Sequence, residues 1–158
     1  MLADAFSPEG EGELYLTPEV QEAFVAFLYS RRITLHFLSG AWSPEFADLV
    51  AAADVTRTAE ASTEPAAAKL STVVVGAETI YSPFALSAFT QTLFLLLERE
   101  KARGNAAEAL VGAKKLYFGV GGSLDDFVTR ANELGAETKQ VWEETEGVRR
   151  GVIRCRLP

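Results

Sequence analysis

A chain of 158 residues is one domain by length, and 48% apolar content is ample for a core. Against 22 acidic residues stand 15 basic ones, a net charge of −7 that argues against a nucleic-acid surface, where the phosphate backbone demands clustered Lys and Arg. A single cysteine, Cys155, excludes an internal disulfide framework and fits a reducing compartment.

Residues 1–13, MLADAFSPEGEGE, have no apolar period and read as an exposed lead-in. They carry neither a basic start nor an apolar core, so no secretory signal is expected. The longest greasy run, Leu93 to Leu97, is too short to span a bilayer. These features predict a soluble intracellular protein.

Thr17-Pro18 opens a helix with a hydroxyl cap followed by proline at the first helical position. Val20, Phe24, Phe27 and Leu28 share a face there, which predicts packing through that stripe. Ile33 to Leu38 alternates and is rich in β-formers, so a strand is expected, ending at Ser39-Gly40. Ser43-Pro44 repeats the cap and starts a helix with Phe46, Leu49 and Val50 inward. From Ala51 to Ser71 the sequence is a low-complexity mixture, and a mobile insertion is expected in its middle.

Thr72 to Val75 is a continuous apolar run that suits a central strand buried on both faces. Ser82-Pro83 is the third cap, and the helix behind it carries Phe84, Phe89, Leu93, Phe94, Leu96 and Leu97. A short β run at Lys115 to Phe118 breaks at Gly119-Val120-Gly121-Gly122 and restarts as a helix capped by Ser123, with Leu124, Phe127, Val128, Ala131 and Leu134 on one side and Gly135 as a left-handed stop. Two last β segments, about Glu137 to Glu144 and Val148 to Leu157, meet around Thr145-Glu146-Gly147 as an antiparallel hairpin. Ile153, Cys155 and Leu157 then share a face, which makes Cys155 a core thiol.

Strands alternating with helices and closing in a hairpin predict a mainly parallel α/β sheet with an antiparallel edge. Ligands of such sheets bind outside the carboxyl ends of the strands. Three segments fall there: Gly40-Ala41-Trp42, Ala77-Glu78-Thr79-Ile80-Tyr81, and Phe118 to Gly122. Gly119, Gly121 and Gly122 let a ligand approach the backbone closely, though a tight turn needs the same residues. Their spacing fits neither a dinucleotide fingerprint nor a phosphate loop. His36, inside an alternating run, reads as structural. Neither a Cys/His metal cluster nor a Ser-His-acid arrangement is identifiable.

In this order, the three segments resemble the seven-strand S-adenosylmethionine-dependent methyltransferases, with a Rossmann-like fold, and among them the protein-histidine methyltransferases. Ser39-Gly40-Ala41-Trp42-Ser43 stands where that family has Gly-x-Trp after its third strand. Ala77-Glu78-Thr79-Ile80-Tyr81 stands where it has Ser-Glu-Thr-Ile-Tyr after its fourth. Lys114 to Gly122 stands where it has a Lys, an aromatic pair and Gly-Val-Gly-Gly after its fifth. The resemblance covers roughly residues 14 to 157, and Ala77 departs from the family's serine.

The resemblance implies methylation of a histidine in a protein substrate, for this family a large-subunit ribosomal protein, with S-adenosylmethionine as cofactor and a cytoplasmic or nuclear setting. It implies Glu78 and Tyr81 as catalytic, Trp42 and Ala77 against the cofactor, and Thr79, Phe118, Gly119, Val120, Gly121 and Gly122 against the substrate. Read as residues alone, Glu78 equally suits the helix dipole at Ser82, Tyr81 half-buried packing, and Trp42 the core. The family's first strand with its glycine-rich loop, and its second strand with its ribose-holding acid, are not found. In the family's sheet they lie between the third and fourth strands, so without them Ile33 to Leu38 has no neighbour and Thr72 to Val75 exposes one edge. The expectation is therefore a C-terminal portion of the enzyme, inactive alone: a truncated gene product, a mis-called gene model, or half of a split protein whose other chain carries the N-terminal half. The alternative is a non-catalytic binding or assembly module on the same fold.

Overall fold

The computed structural model describes residues 15–60, 71–115 and 122–158, with the side chains of 54–60 left aside. Two compact units divide the chain, Met1–Phe37 and Leu38–Pro158.

The first unit contains helix α1, Pro18–Ser30. The Thr17 hydroxyl accepts from the Val20 N–H, so the expected cap forms. No residue of α1 is buried, and its apolar stripe has Phe24 46% and Phe27 44% exposed. Ile33 to Leu38 is not a strand. Its backbone is outside any ladder among the described residues, and Phe37 is 90% exposed. A strand needs a neighbour to take its backbone hydrogen bonds, and alternation alone does not provide one.

The second unit holds helix α2, Pro44–Glu60; strand β1, Ser71–Ala77; helix α3, Pro83–Ala102; strand β2, Ala106–Lys114; helix α4, Leu124–Glu133; and strands β3, Glu137–Glu144, and β4, Arg150–Arg156. Helix α2 runs through the first ten residues of the stretch expected to hold the insertion, since alanine-rich sequence favours helix. The middle of that stretch, residues 61–70, lies outside the described residues. Ser82 and Ser123 cap α3 and α4 by accepting from the N–H groups of Ala85 and Asp126 at 3.1 and 3.0 Å. These hydroxyls satisfy donors that a helix start otherwise leaves without partners.

The sheet is four-stranded in the order β1-β2-β4-β3. Only β1 and β2 are parallel; β2·β4 and β3·β4 are antiparallel, so the mainly parallel sheet expected is corrected to a mixed one. A bulge interrupts the hairpin ladder between Gln140 and Trp142. Among the described residues strand β1 is an edge, as expected without the family's first two strands, rather than the central strand its apolar run suits, with Val73 50% and Val75 70% exposed. Strand β2 is built from residues the pattern did not single out, while of the β run expected at Lys115 to Phe118, Lys115 is outside the strand and residues 116–118 lie outside the described residues.

One face of the sheet carries the core. Ala109, Val111 and Ala113 of β2 and Ile153 and Cys155 of β4 pack with Phe89, Leu93, Phe94 and Leu97 of α3 and Leu124, Phe127 and Ala131 of α4. Each large side chain buried there contributes about 1.5–3 kcal/mol, so this layer holds the unit together. Phe84, expected inward on α3, is 84% exposed, and Leu49 on α2 is 49% exposed. At the far end of α3, the Glu100 carboxylate accepts from Thr72 Oγ1 at 2.8 Å, Arg103 at 2.7 Å and Asn105 at 3.0 Å. Burial raises its pKa, and these three bonds outweigh burial and bring it below the ordinary value.

Candidate functional site

The carboxyl ends of β1 and β2 lie side by side because the two strands are parallel, with Ala77 opposite Gly112. Just beyond, Glu78 takes a left-handed backbone, φ 54°, held by a 2.9 Å bond from its N–H to the Gly112 carbonyl. A residue with a side chain in this region is strained, and such strain collects at functional sites. The turn swings the Glu78 carboxylate toward the start of β4, where Arg150 Nε stands 3.5 Å from its Oε1. Both side chains are about half exposed.

Ile80, two residues on, is fully buried and anchors the segment, while Tyr81 is 58% exposed. Gly122 is buried against the same segment with φ 79°. A Cβ built on it would stand 2.6 Å from the Ile80 carbonyl and 2.7 Å from the Ser82 carbonyl carbon. Only glycine fits, both by backbone angle and by space. Thus Gly122 fastens the segment after β2 onto the one after β1. Phe118, Gly119, Val120 and Gly121 lie outside the described residues.

Trp42 reaches the same end of the sheet through Phe89. Its ring stands edge to face with Phe46 at 5.4 Å and with Phe89 at 5.3 Å. The tip of Phe89 in turn lies where a Gly76 side chain would be, 2.5 Å from a Cβ built there. Trp42 is held by two aromatic neighbours and still 40% exposed, so it offers a fixed flat surface. The hydroxyl of Thr79, buried near Gly76, has no hydrogen-bond partner, and Ala77 is exposed. Among the described residues, Trp42 is thus linked through Phe89 to Gly76 at the end of β1, and Gly122, the described residue of the third segment, packs on Ile80 and Ser82.

Charged groups line the neighbouring sheet end. Glu143 of β3 receives Lys115 Nζ at 2.5 Å and Arg149 at 3.1 Å. The hydrogen bonds from Lys115, Gln140 and Arg149 hold its carboxyl far below the ordinary range, at about 2. Lys115 is also fixed by its backbone, N–H to the Arg149 carbonyl at 3.0 Å. Among the described residues no group of three or more His, Cys, Asp or Glu side chains is arranged to hold a metal ion. Cys155 sits in the core, and burial pushes its thiol up to about 11. Arg150 and Phe89 were not legible as site residues. Phe89 showed only the helical stripe, and Arg150 only its place within the last β segment.

No family model matches the chain. It is similar to two proteins named histidine protein methyltransferase 1, at 31% identity over 150 residues to that of Schizosaccharomyces pombe and 27% over 148 residues to that of Saccharomyces cerevisiae. Each match takes in 93% of this chain, but 38% and 35% of the relative, so the chain spans little more than a third of the curated relatives it matches. The resemblance read from the three motifs is thus a resemblance, over nearly the whole chain, to a portion of the histidine protein methyltransferases.

Proposed function

We propose that this chain carries the acceptor side of a protein-histidine methyltransferase of the seven-strand, S-adenosylmethionine-dependent type, corresponding to its C-terminal portion. The observation that carries the reading is Glu78, turned into a left-handed backbone at the carboxyl end of β1 beside the segment that Gly122 fastens. The substrate is a protein histidine, on the family resemblance one in a large-subunit ribosomal protein, met in the cytoplasm or nucleus.

An imidazole attacks only as the neutral ring, through the nitrogen whose lone pair is free. The Glu78 carboxylate accepts a hydrogen bond from the other ring N–H, which selects the tautomer. It also stabilises the positive charge that spreads over the ring as the new N–C bond forms. Tyr81, exposed three residues on, lines the acceptor pocket with Thr79, and the family resemblance assigns the Phe118–Gly122 segment to the same substrate.

For the cofactor, the fixed open ring of Trp42 suits a planar base, and Ala77 leaves space beside it, so these residues fit one wall of its site. When bound, S-adenosylmethionine supplies the methyl group on a sulfonium. The exposed edge strand β1 supports a larger sheet completed by strands outside these residues. Alone, the chain is then inactive.

The test is made on the full-length Schizosaccharomyces pombe relative, with glutamine at the position matching Glu78. Methyl transfer should fall about a hundredfold or more, while affinity for S-adenosylmethionine stays within about twofold. Equal losses in both, or none in either, would remove Glu78 from the site.

A further inference from the structure

Strand β4 runs antiparallel to β2, so its first residue, Arg150, lies opposite Lys114 and beside the carboxyl ends where Glu78 sits. Two neighbouring cations, Lys115 and Arg149, are drawn to Glu143. Arg150 instead extends across the end of β2 and meets Glu78. An ion pair half exposed on both sides contributes little to stability, so fold maintenance is a poor account of it. Its geometry is informative in another way. The contact is an ion pair whose nearest approach runs from Nε, on the planar part of the guanidinium, to Oε1 at 3.5 Å. A guanidinium so placed draws the carboxylate toward the start of β4.

We infer that Arg150 is a positioning residue for Glu78: it draws the carboxylate to the side from which it can receive the N–H of an incoming imidazole. This rests on the acceptor reading of Glu78 given above. A carboxylate accepts at both oxygens, with about four lone-pair sites, so one group can serve a neighbouring guanidinium and an imidazole N–H together. The strained backbone of Glu78 sets where the side chain starts, and Arg150 sets where it ends.

The pairing is read first on the free 158-residue chain, from the 15N and proton signals of the Arg150 Nε–H. They should stand apart from those of exposed arginines and return to them in Glu78→Gln; identical signals in both proteins would overturn the inference. The role is read by titrating the chain with N-acetyl-histidine methylamide, using N-acetyl-alanine methylamide as control. Arg150→Ala should weaken the histidine probe about tenfold, as Glu78→Gln does. The double variant should be no weaker than either single, and Arg150→Lys should recover part of the loss. Thermal midpoints of the Arg150 variants should stay within about 2 °C of the parent. Wild-type affinity in Arg150→Ala beside a loss in Glu78→Gln would overturn the role of Arg150 and leave the acceptor reading intact. A large drop in the Arg150→Ala midpoint would make the residue structural and overturn it too. Equal binding of the histidine and alanine probes to the parent would sink both readings.

Discussion

Replacing Gly122 by alanine tests whether the two segments beyond β1 and β2 are fastened as the structure shows. An alanine at φ 79° carries the cost of the left-handed region, about 1–2 kcal/mol. Its methyl would also stand 2.6 Å from the Ile80 carbonyl oxygen and 2.7 Å from the Ser82 carbonyl carbon, so backbone must move. Neither neighbour is the far end of a flexible side chain, and overpacking of this kind costs about 1–3 kcal/mol. Together the change should lower stability by about 3 kcal/mol, roughly a 10 °C drop in midpoint for a chain of this size. Urea unfolding gives the free energy and a thermal scan the midpoint. The residue between the two clashing carbonyl groups is Tyr81, so amide signals from Glu78 to Ser82 should move as well. A loss under about 1 kcal/mol, with those amides unmoved, would refute the contact on which the site is assembled.

Three further outcomes follow from groups around that site and the core. Glu143 is held at about 2 against an ordinary 4.5, so its folded value lies below its unfolded one. Its contribution is present above about pH 4.5 and lost as pH falls toward 2. Glu143→Gln should flatten that part of a stability-against-pH curve, and an unchanged curve would contradict the pairing. Cys155, with its thiol raised to about 11 by burial, should react with a disulfide reagent at pH 8 only as fast as the protein opens, and rapidly in urea. Thr79→Val, which deletes a buried hydroxyl without a partner, should leave the midpoint unchanged or raise stability by up to about 1 kcal/mol. A clear loss would show that the hydroxyl has a partner in solution.

What the sequence made legible is what local chemistry decides. Thr17, Ser43, Ser82 and Ser123 were readable as caps because a hydroxyl before the first turn meets the same free N–H groups in any fold. The hairpin from Glu137 was readable from its turn, and Cys155 from alternation. What depended on neighbours was not. Val73 and Val75 look the same in a central strand and at an edge, and only pairing distinguishes them. Ile33 to Leu38 has strand composition and no ladder. Ala106 to Lys114, with alanine at four of nine positions, has weak β propensity, yet it is a strand because β1 and β4 pair with it on both sides. At the site, motifs put Glu78, Trp42 and Gly122 on segments that meet near the carboxyl ends of β1 and β2. The positive φ of Glu78 carries no signal in a residue type that rarely adopts it, and the approach of Arg150 depends on strand order.

The central proposal is that these residues carry the acceptor side of the enzyme and only one wall of the cofactor site. The most direct measurement is a thermal melt of the 158-residue chain with and without S-adenosylmethionine in large excess. A ligand at about 100 times its dissociation constant stabilises a folded protein by about 2.7 kcal/mol, a shift of several degrees. The core between the sheet and helices α3 and α4 predicts a cooperative transition, and the account predicts that S-adenosylmethionine leaves its midpoint in place. An upward shift of several degrees would contradict it, because the cofactor site would then be complete within these residues.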